Sequence, residues 1–320
     1  MPLWLSGVIA FLVAFALAPR MRALAIKWKF VDLPNERKIH HDPLPLLGGA
    51  AMFAGILAVA LVAFFWNNWL KTPYAGVMIG AILLFAIGIL DDFFKTRGKD
   101  FSVSIRFGVQ ILSALLIPLF GGGIQGFTAP FGGHHFVAFS TVLSVVITVV
   151  WIVGVTNVFN FLDGVDGLAA GIAAISATTL FFIAIVKGDA LSAWFAIAVT
   201  GAAVGFLRHN FYPARIIMGD AGSTVLGYLL GAIASVGAFK SATVISIGVP
   251  VLALGVPIFD AVVVVLARAK AGKPVYKPDQ SHVHHRLLRA GLSQVQTVTV
   301  VYLISACFSL VSMIVLLLTR

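Results

Sequence analysis

The pattern that most restricts this chain is a series of long apolar runs. They lie near 3–18, 47–66, 75–90, 104–120, 137–156, 168–186, 191–207, 222–239, 243–266 and 298–318. A helix needs roughly 20 mostly apolar residues to cross a bilayer, fewer where its ends are anchored. The runs therefore predict an all-α, polytopic membrane bundle of about ten transmembrane helices. A soluble domain carries roughly a quarter charged residues, whereas this chain of 320 residues is 60% hydrophobic and 11% charged. That leaves little room for a separate soluble domain, and residues 1–320 read as one integral-membrane domain. Pro19 and Arg20 follow the first run in place of a small-residue cleavage site, so it reads as a retained helix. The single cysteine, Cys307, sits in an apolar run, which excludes an internal disulfide and disfavours a Cys-based zinc site.

The loops alternate in character. One set is long and polar, at 19–46, 91–103, 157–167, 208–221 and 267–297, and the other is short or glycine-rich. Lysine and arginine collect in or beside the first set; the other side keeps only Lys71, Lys187, Lys240 and Arg320. Basic residues are retained on the cytoplasmic side, so the first set is expected there, with both termini outside. The same rule explains the net charge of +10 without nucleic acid, since such loops meet anionic lipids and phosphate ligands. Of the twelve acidic residues only Asp189 clearly belongs to the outer side, and Asp260 lies in the ninth run near its inner end. A transporter more often sets its ionisable groups at the membrane midplane. Gathering them at one face predicts an enzyme with a cytoplasmic active-site cleft.

Five blocks carry the chemistry. Asn157, Asn160 and Asp163 recur every three residues, so on a helix end they share one face. Gly164 and Gly167 follow and let a ligand approach the backbone. Oxygen ligands of this kind suit Mg²⁺, which takes one or two carboxylates together with substrate phosphates; a capped helix end and tight turn is the plainer alternative. Asp91 and Asp92 are adjacent acids at the inner end of the third run, where the helix dipole prefers cations and the apolar core makes acids costly. Lys95, Lys99 and Arg106 supply compensating charge and a phosphate clamp. Asp220, in Met218-Gly219-Asp220-Ala221-Gly222-Ser223, opens the eighth run as an N-cap or a metal ligand. Arg37, Lys38, His40 and His41 form a cationic patch in the first polar loop, ahead of Gly48 and Gly49. His282, His284, His285 and Arg286 in the last polar loop suit pyrophosphate or a base, and no Cys or carboxylate set completes a zinc site there. HExxH and Walker A motifs are absent.

In order and position these blocks, from RKIHHDPLPLLGG to SHVHHRLL, resemble the polyprenyl-phosphate N-acetylhexosamine-1-phosphate transferase family (glycosyltransferase family 4). The form HVHHRLL looks like the branch that transfers N-acetylglucosamine-1-phosphate to undecaprenyl phosphate, beginning teichoic acid, O-antigen or related glycans. The phospho-N-acetylmuramoyl-pentapeptide branch carries a longer histidine run followed by an acid. The resemblance implies Asp220 as a magnesium ligand and Asn160 as a second ligand, with manganese the alternative ion. It implies Asp91 and Asp92 as the acidic pair needed for catalysis. Lys38, Lys95 and Arg106 match cationic positions near the phosphates, and Arg106 stands where the muramoyl-pentapeptide branch usually has lysine. Asp163, Asp166 and Asn157 match positions near nucleotide or metal, while His282, His284, His285 and Arg286 match the donor-contacting block. Family members are often dimers, so a homodimer is expected.

The chemistry agrees with the residues. A UDP-sugar pyrophosphate attacked by a lipid phosphate brings two anions together, and Mg²⁺ with Lys, Arg and His offsets that repulsion. A phosphate monoester with a second pKa near 6 is already largely dianionic at neutral pH. Charge neutralisation and in-line positioning therefore matter more than a general base. Asp91 or Asp92 is the candidate for proton transfer, metal binding or a covalent aspartyl-phosphate. The reading from another class is a secondary transporter of an anionic solute; inverted repeats would favour it and none is visible.

Overall fold

The computed structural model describes residues 2–32, 43–66, 69–128, 136–238, 244–270 and 282–318. Each of the ten apolar runs contains helix among its described residues, the fifth only from Thr141: α1 (Leu3–Lys27), α2 (Gly48–Trp66), α3 (Pro73–Lys95), α4 (Val103–Leu119), α5 (Thr141–Leu162), α6 (Leu168–Val186), α7 (Ala190–Asn210), α8 (Gly219–Ile233), then α9 (Val244–Ala253) with α10 (Gly255–Lys270), and after the short α11 (Val283–Arg289), α12 (Gln294–Leu318). Among the described residues, seven of these helices are long and apolar enough to cross a membrane: α1, α2, α3, α5, α6, α7 and α12. Helix α4 is apolar but shorter, and α8 continues through a π-helical turn, Ala234–Ala238. The chain is a multi-pass helical membrane protein. Among the described residues, strands are confined to two small antiparallel pairs, β1 (Val31–Asp32) with β2 (Leu44–Pro45) and β3 (Gly126–Thr128) with β4 (Phe136–Ala138).

Two expected boundaries are corrected. The ninth run is not one continuous helix: Leu254 separates α9 from α10. Pro257 falls in the first turn of α10, where a missing N–H costs no helical bond. The polar loop expected from 157 begins only at Asp163, because α5 runs to Leu162 and carries Asn157 and Asn160 on its last turns.

Helix α8 is the axis of the fold. Its residues from Leu229 to Ile233 are buried, and it packs against α3, α5 and α2. Small residues allow this closeness: a Cβ on Gly88 of α3 would meet the Ala221 backbone, and one on Gly227 of α8 would meet α5 at Thr156. Around this core α1, α2, α6 and α7 pack on one another. The amino end of α2 is tied to the approach to α8, since Gly48 and Gly49 donate their N–H groups to the Ile217 and Met218 carbonyls at 3.0 Å each. The glycines that end the first polar loop thus bring it beside the MGDAGS block.

Candidate functional site

The carboxyl ends of α3 and α5 and the amino ends of α4 and α8 meet at one face of the bundle. Helix α3 delivers Asp91, Asp92 and Lys95 on its last turn. Both aspartates are buried, at 1% exposure each, and the structure separates their roles. Asp92 turns to α8: its Oδ1 accepts the Asp220 N–H at 2.9 Å and its Oδ2 the Ala221 N–H at 3.1 Å. It is therefore a cap supplied by one helix to another, satisfying amino-terminal N–H groups that α8's own preceding residue, Met218, does not reach. Gly219 makes room for it, with φ +67° and a position where a Cβ would overlap the Asp92 carboxylate.

Asp91 turns the other way, to the cations. Its Oδ2 lies 3.3 Å from Lys95 Nζ and 3.0 Å from Arg106 Nη1. The same two groups reach Asp220 Oδ2, Lys95 at 2.5 Å and Arg106 at 3.4 Å. Two of the expected blocks thus close into one network of two carboxylates and two cations. Asp91 Oδ1 is buried without a hydrogen-bond partner among the described residues, a costly state for a carboxylate oxygen unless a ligand completes it.

Asn160 adjoins this network through Ser223 of α8. Ser223 Oγ donates to the Gly219 carbonyl at 3.0 Å, so it must accept from Asn160 Nδ2, also at 3.0 Å. That fixes the Asn160 amide and leaves its Oδ1 as the open, ligand-capable atom. Asn157, one turn back, is held differently. Its Nδ2 donates to Gln110 Oε1 at 2.7 Å and to the Val153 carbonyl at 2.8 Å, which links α5 to α4. Asp163 lies just beyond α5. Burial holds its carboxyl well above the usual carboxylate range, the nearby Asp220, Asp92 and Asp166 charges add to this, and Lys95 opposes it. Asp166 accepts the Ala214 N–H at 2.9 Å and so steadies the loop before α8. Gly167 is pinned between Asn210, which accepts its N–H at 3.1 Å, and Tyr302, which donates to its carbonyl at 2.5 Å.

The histidine block sits against the same end of α5. The His282 ring lies 5.5 Å from that of Phe161, and the His284 ring is nearly parallel to His282 at 5.9 Å. His284 is fully buried with both ring nitrogens unpartnered among the described residues, and a Cβ on Gly164 would stand 3.3 Å from its Nε2. Burial, then the neighbouring His285 and His282, pull its pKa down to about 3, so it is a neutral imidazole. The His285 ring lies against it at 4.3 Å, tilted by 46°. Arg286 lines a small apolar cavity of about 190 Å³ with Asp260, Phe259, Val301, Ile304 and Phe308. Lys38 lies outside the described residues.

Sequence reasoning missed Gln110, Ser223 and Asp260 as participants. Gln110 and Asp260 were legible as lone polar groups in apolar runs, which must find partners to be tolerated there. Among the described residues no three His, Cys, Asp or Glu side chains converge as a complete metal cage. The oxygen-only donor set of Asp91, Asp220 and Asn160 is instead suited to a hard cation that keeps waters and substrate phosphate in its shell.

Comparison with known proteins decides the family. The family model described as glycosyl transferase family 4 matches residues 74–238. The chain belongs to this family. It is 37% identical over 303 residues to a probable undecaprenyl-phosphate N-acetylglucosaminyl 1-phosphate transferase of Bacillus subtilis, covering 95% of this chain and 82% of that protein. It is 33% identical to a decaprenyl-phosphate N-acetylglucosaminephosphotransferase of Mycolicibacterium smegmatis, over 93% of this chain and 78% of that protein. It is also 33% identical to an undecaprenyl-phosphate alpha-N-acetylglucosaminyl 1-phosphate transferase of Haemophilus influenzae, over 94% and 84%. The family match spans the helix ends that build the network, from α3 through α8.

Proposed function

We propose that this family 4 member transfers N-acetylglucosamine-1-phosphate from UDP-N-acetylglucosamine to undecaprenyl phosphate. A lipid phosphate oxygen attacks the sugar-bearing phosphorus. The bond from that phosphorus to the bridging oxygen breaks, UMP leaves, and the sugar remains on a lipid diphosphate. The observation that carries this reading is the network of Asp91, Lys95, Arg106 and Asp220 where four helix ends meet. The names of the relatives supply the donor and acceptor.

Lys95 and Arg106 are already drawn between the two carboxylates, and both are partly exposed. They are placed to reach anionic phosphate oxygens as these arrive, which is where charge develops in phosphoryl transfer. Asp91, Asp220 and the Asn160 amide oxygen are the groups that would hold Mg²⁺. Asp91 and Asp220 share the two cations, and Asp92 and Asp163 lie close by, a carboxylate-rich setting that suits a divalent ion. Bound there, the ion would supply Lewis-acid neutralisation of the pyrophosphate. Asp92 serves the reaction through Asp220, by holding the amino end of α8 in place. The histidines and Arg286 contribute neutral and charged donors for the nucleotide-sugar phosphates.

We place this face in the cytoplasm of a bacterial plasma membrane, with both termini outside, because the basic loops share it. The product would be the lipid-linked first sugar of an envelope glycan. The test is UMP release by purified protein given undecaprenyl phosphate, Mg²⁺ and, separately, UDP-N-acetylglucosamine, UDP-N-acetylgalactosamine or UDP-N-acetylmuramoyl-pentapeptide. Release with the first donor only, dependent on lipid, is the expected result. Release with the pentapeptide donor alone would overturn the choice of donor, and solute flux in proteoliposomes without UMP would overturn the enzyme.

A further inference from the structure

Asp260 is an acid in the middle of an otherwise apolar stretch, Gly255-Val-Pro-Ile-Phe-Asp-Ala-Val-Val. A carboxylate at that position is tolerated only with partners, and both of its oxygens have one. Oδ1 accepts the Val283 N–H at 2.8 Å, which satisfies an amino-terminal donor of α11. Oδ2 lies 2.7 Å from His282 Nδ1. Both groups are close to fully buried, with side-chain exposures of 7% for Asp260 and 10% for His282.

Because a carboxylate only accepts, the hydrogen between them belongs to Nδ1. That assignment fixes the remaining nitrogen. Nε2 makes no hydrogen bond to any described residue, and it is the ring's one open position. The ring packs against Phe161 of α5 and the parallel His284. Phe161 is the residue after Asn160, so the pair ties α10 and the histidine block to the α5 end of the network.

The geometry points to Asp260 as a positioning residue for the transfer. It sets the tautomer and the aim of His282, whose Nε2 then addresses the phosphates of the nucleotide-sugar. This rests on the transferase reading above. Fixing an imidazole through its second nitrogen is the same device by which outer carboxylates orient metal-bound or catalytic histidines.

Asp260→Asn makes the sharpest perturbation. The amide oxygen still accepts the Val283 N–H, but its NH₂ now faces Nδ1. The ring must then accept at Nδ1 and carry its hydrogen at Nε2. Two measurements follow. The first is ¹⁵N NMR of histidine-labelled protein in detergent, with the His282 signals assigned by their loss in His282→Gln. Nδ1 protonation in the unaltered protein and Nε2 protonation in Asp260→Asn is expected. An unchanged tautomer overturns the inference, whether or not the protein turns over UDP-N-acetylglucosamine. The second is kinetic. Asp260→Asn and His282→Gln should each lower kcat/KM for the UDP-sugar by about 10–100-fold, with the lipid KM and the unfolding temperature nearly unchanged. The double variant should be no worse than His282→Gln alone. An equal further loss in the double variant would mean that Asp260 acts on its own, and would overturn the inference while leaving the transferase intact. Absence of turnover in the unaltered protein would instead sink the transferase reading, and the NMR result would still decide the positioning.

Discussion

Asp91 and Asp92 are neighbours in sequence with opposite duties in the structure, so their isosteric amides should fail in opposite ways. Asp92 accepts two backbone N–H groups of α8. Hydrogen bonds to a charged acceptor contribute roughly 1.5–3 kcal/mol each, and an unpaired buried donor costs about 1–3 kcal/mol. Asp92→Asn keeps one acceptor and turns an NH₂ toward the other N–H, so it loses one bond and strands one donor. A destabilisation of about 3 kcal/mol follows, which corresponds to about 5 °C or more in Tm. Asp91→Asn removes instead a buried charge whose Oδ1 has no partner among the described residues. Lys95 and Arg106 keep Asp220 as their counter-ion, so Tm should stay within about 2 °C. Its UMP release should nevertheless fall by at least about 100-fold, the usual scale for removing a group that acts on transition-state charge. Thermal unfolding in detergent and UMP release on the same preparations give both numbers. Equal Tm losses for the two variants, or a stable and fully active Asp92→Asn, would refute the division of labour.

Gly219→Ala should destabilise more than Asp92→Asn, because it adds left-handed backbone strain of about 1–2 kcal/mol to displacement of the Asp92 carboxylate; normal Tm and activity would contradict the packing at that φ. Chelation by EDTA should stop UMP release and added Mg²⁺ restore it, with the Asn160→Ala variant needing at least about tenfold more Mg²⁺; activity in EDTA would remove the metal from the reading. Ser223→Ala frees the Asn160 amide to rotate, so Mg²⁺ demand should rise while Tm changes by about 1 kcal/mol's worth or less. His284 has its folded pKa pulled from 6.5 down to about 3, so the unfolded chain binds its proton first as pH falls. Its contribution is complete above pH 6.5 and should be lost by roughly 2 kcal/mol at pH 5. His284→Phe should flatten that part of the stability-versus-pH curve, and an unchanged slope would contradict the burial.

Much of the site was legible because membrane burial makes polar residues expensive. Asp91, Asp92, Asn160 and Asp220 stood out as groups that a helix end in apolar surroundings does not tolerate without a reason. Their meeting could be anticipated from the shared side of the loops that carry them. What sequence could not supply was direction. Adjacent aspartates on a helix point about 100° apart, and only the position of α8 says which one caps a helix and which one meets Lys95. The same holds along α5, where Asn157 and Asn160 look alike in spacing. Gln110 claims the first amide and Ser223 orients the second. The break at Leu254 was equally hidden. Pro250 and Pro257 announce a disturbance, but a kinked helix and two separate helices satisfy the same local rules.

Helix ends also explain why this chemistry sits where it does. Helix α8 presents its amino end to the site and α3 and α5 their carboxyl ends. The α8 end would attract a phosphate through its free N–H groups, yet Asp92 already occupies two of them. The α8 terminus therefore holds Asp220 rather than substrate, and anion binding passes to Lys95 and Arg106. The carboxyl ends of α3 and α5 oppose more negative charge, as do the acids themselves. A doubly charged donor meeting a charged lipid thus arrives at a site already rich in carboxylates, and only mobile cations can reconcile the two. On this argument Lys95→Met should be worse for turnover than Lys95→Arg by at least about tenfold, since arginine keeps the charge that links Asp91, Asp220 and phosphate. UMP release across the two variants at saturating Mg²⁺ makes the comparison. Equal activity would show that the metal alone carries the neutralisation.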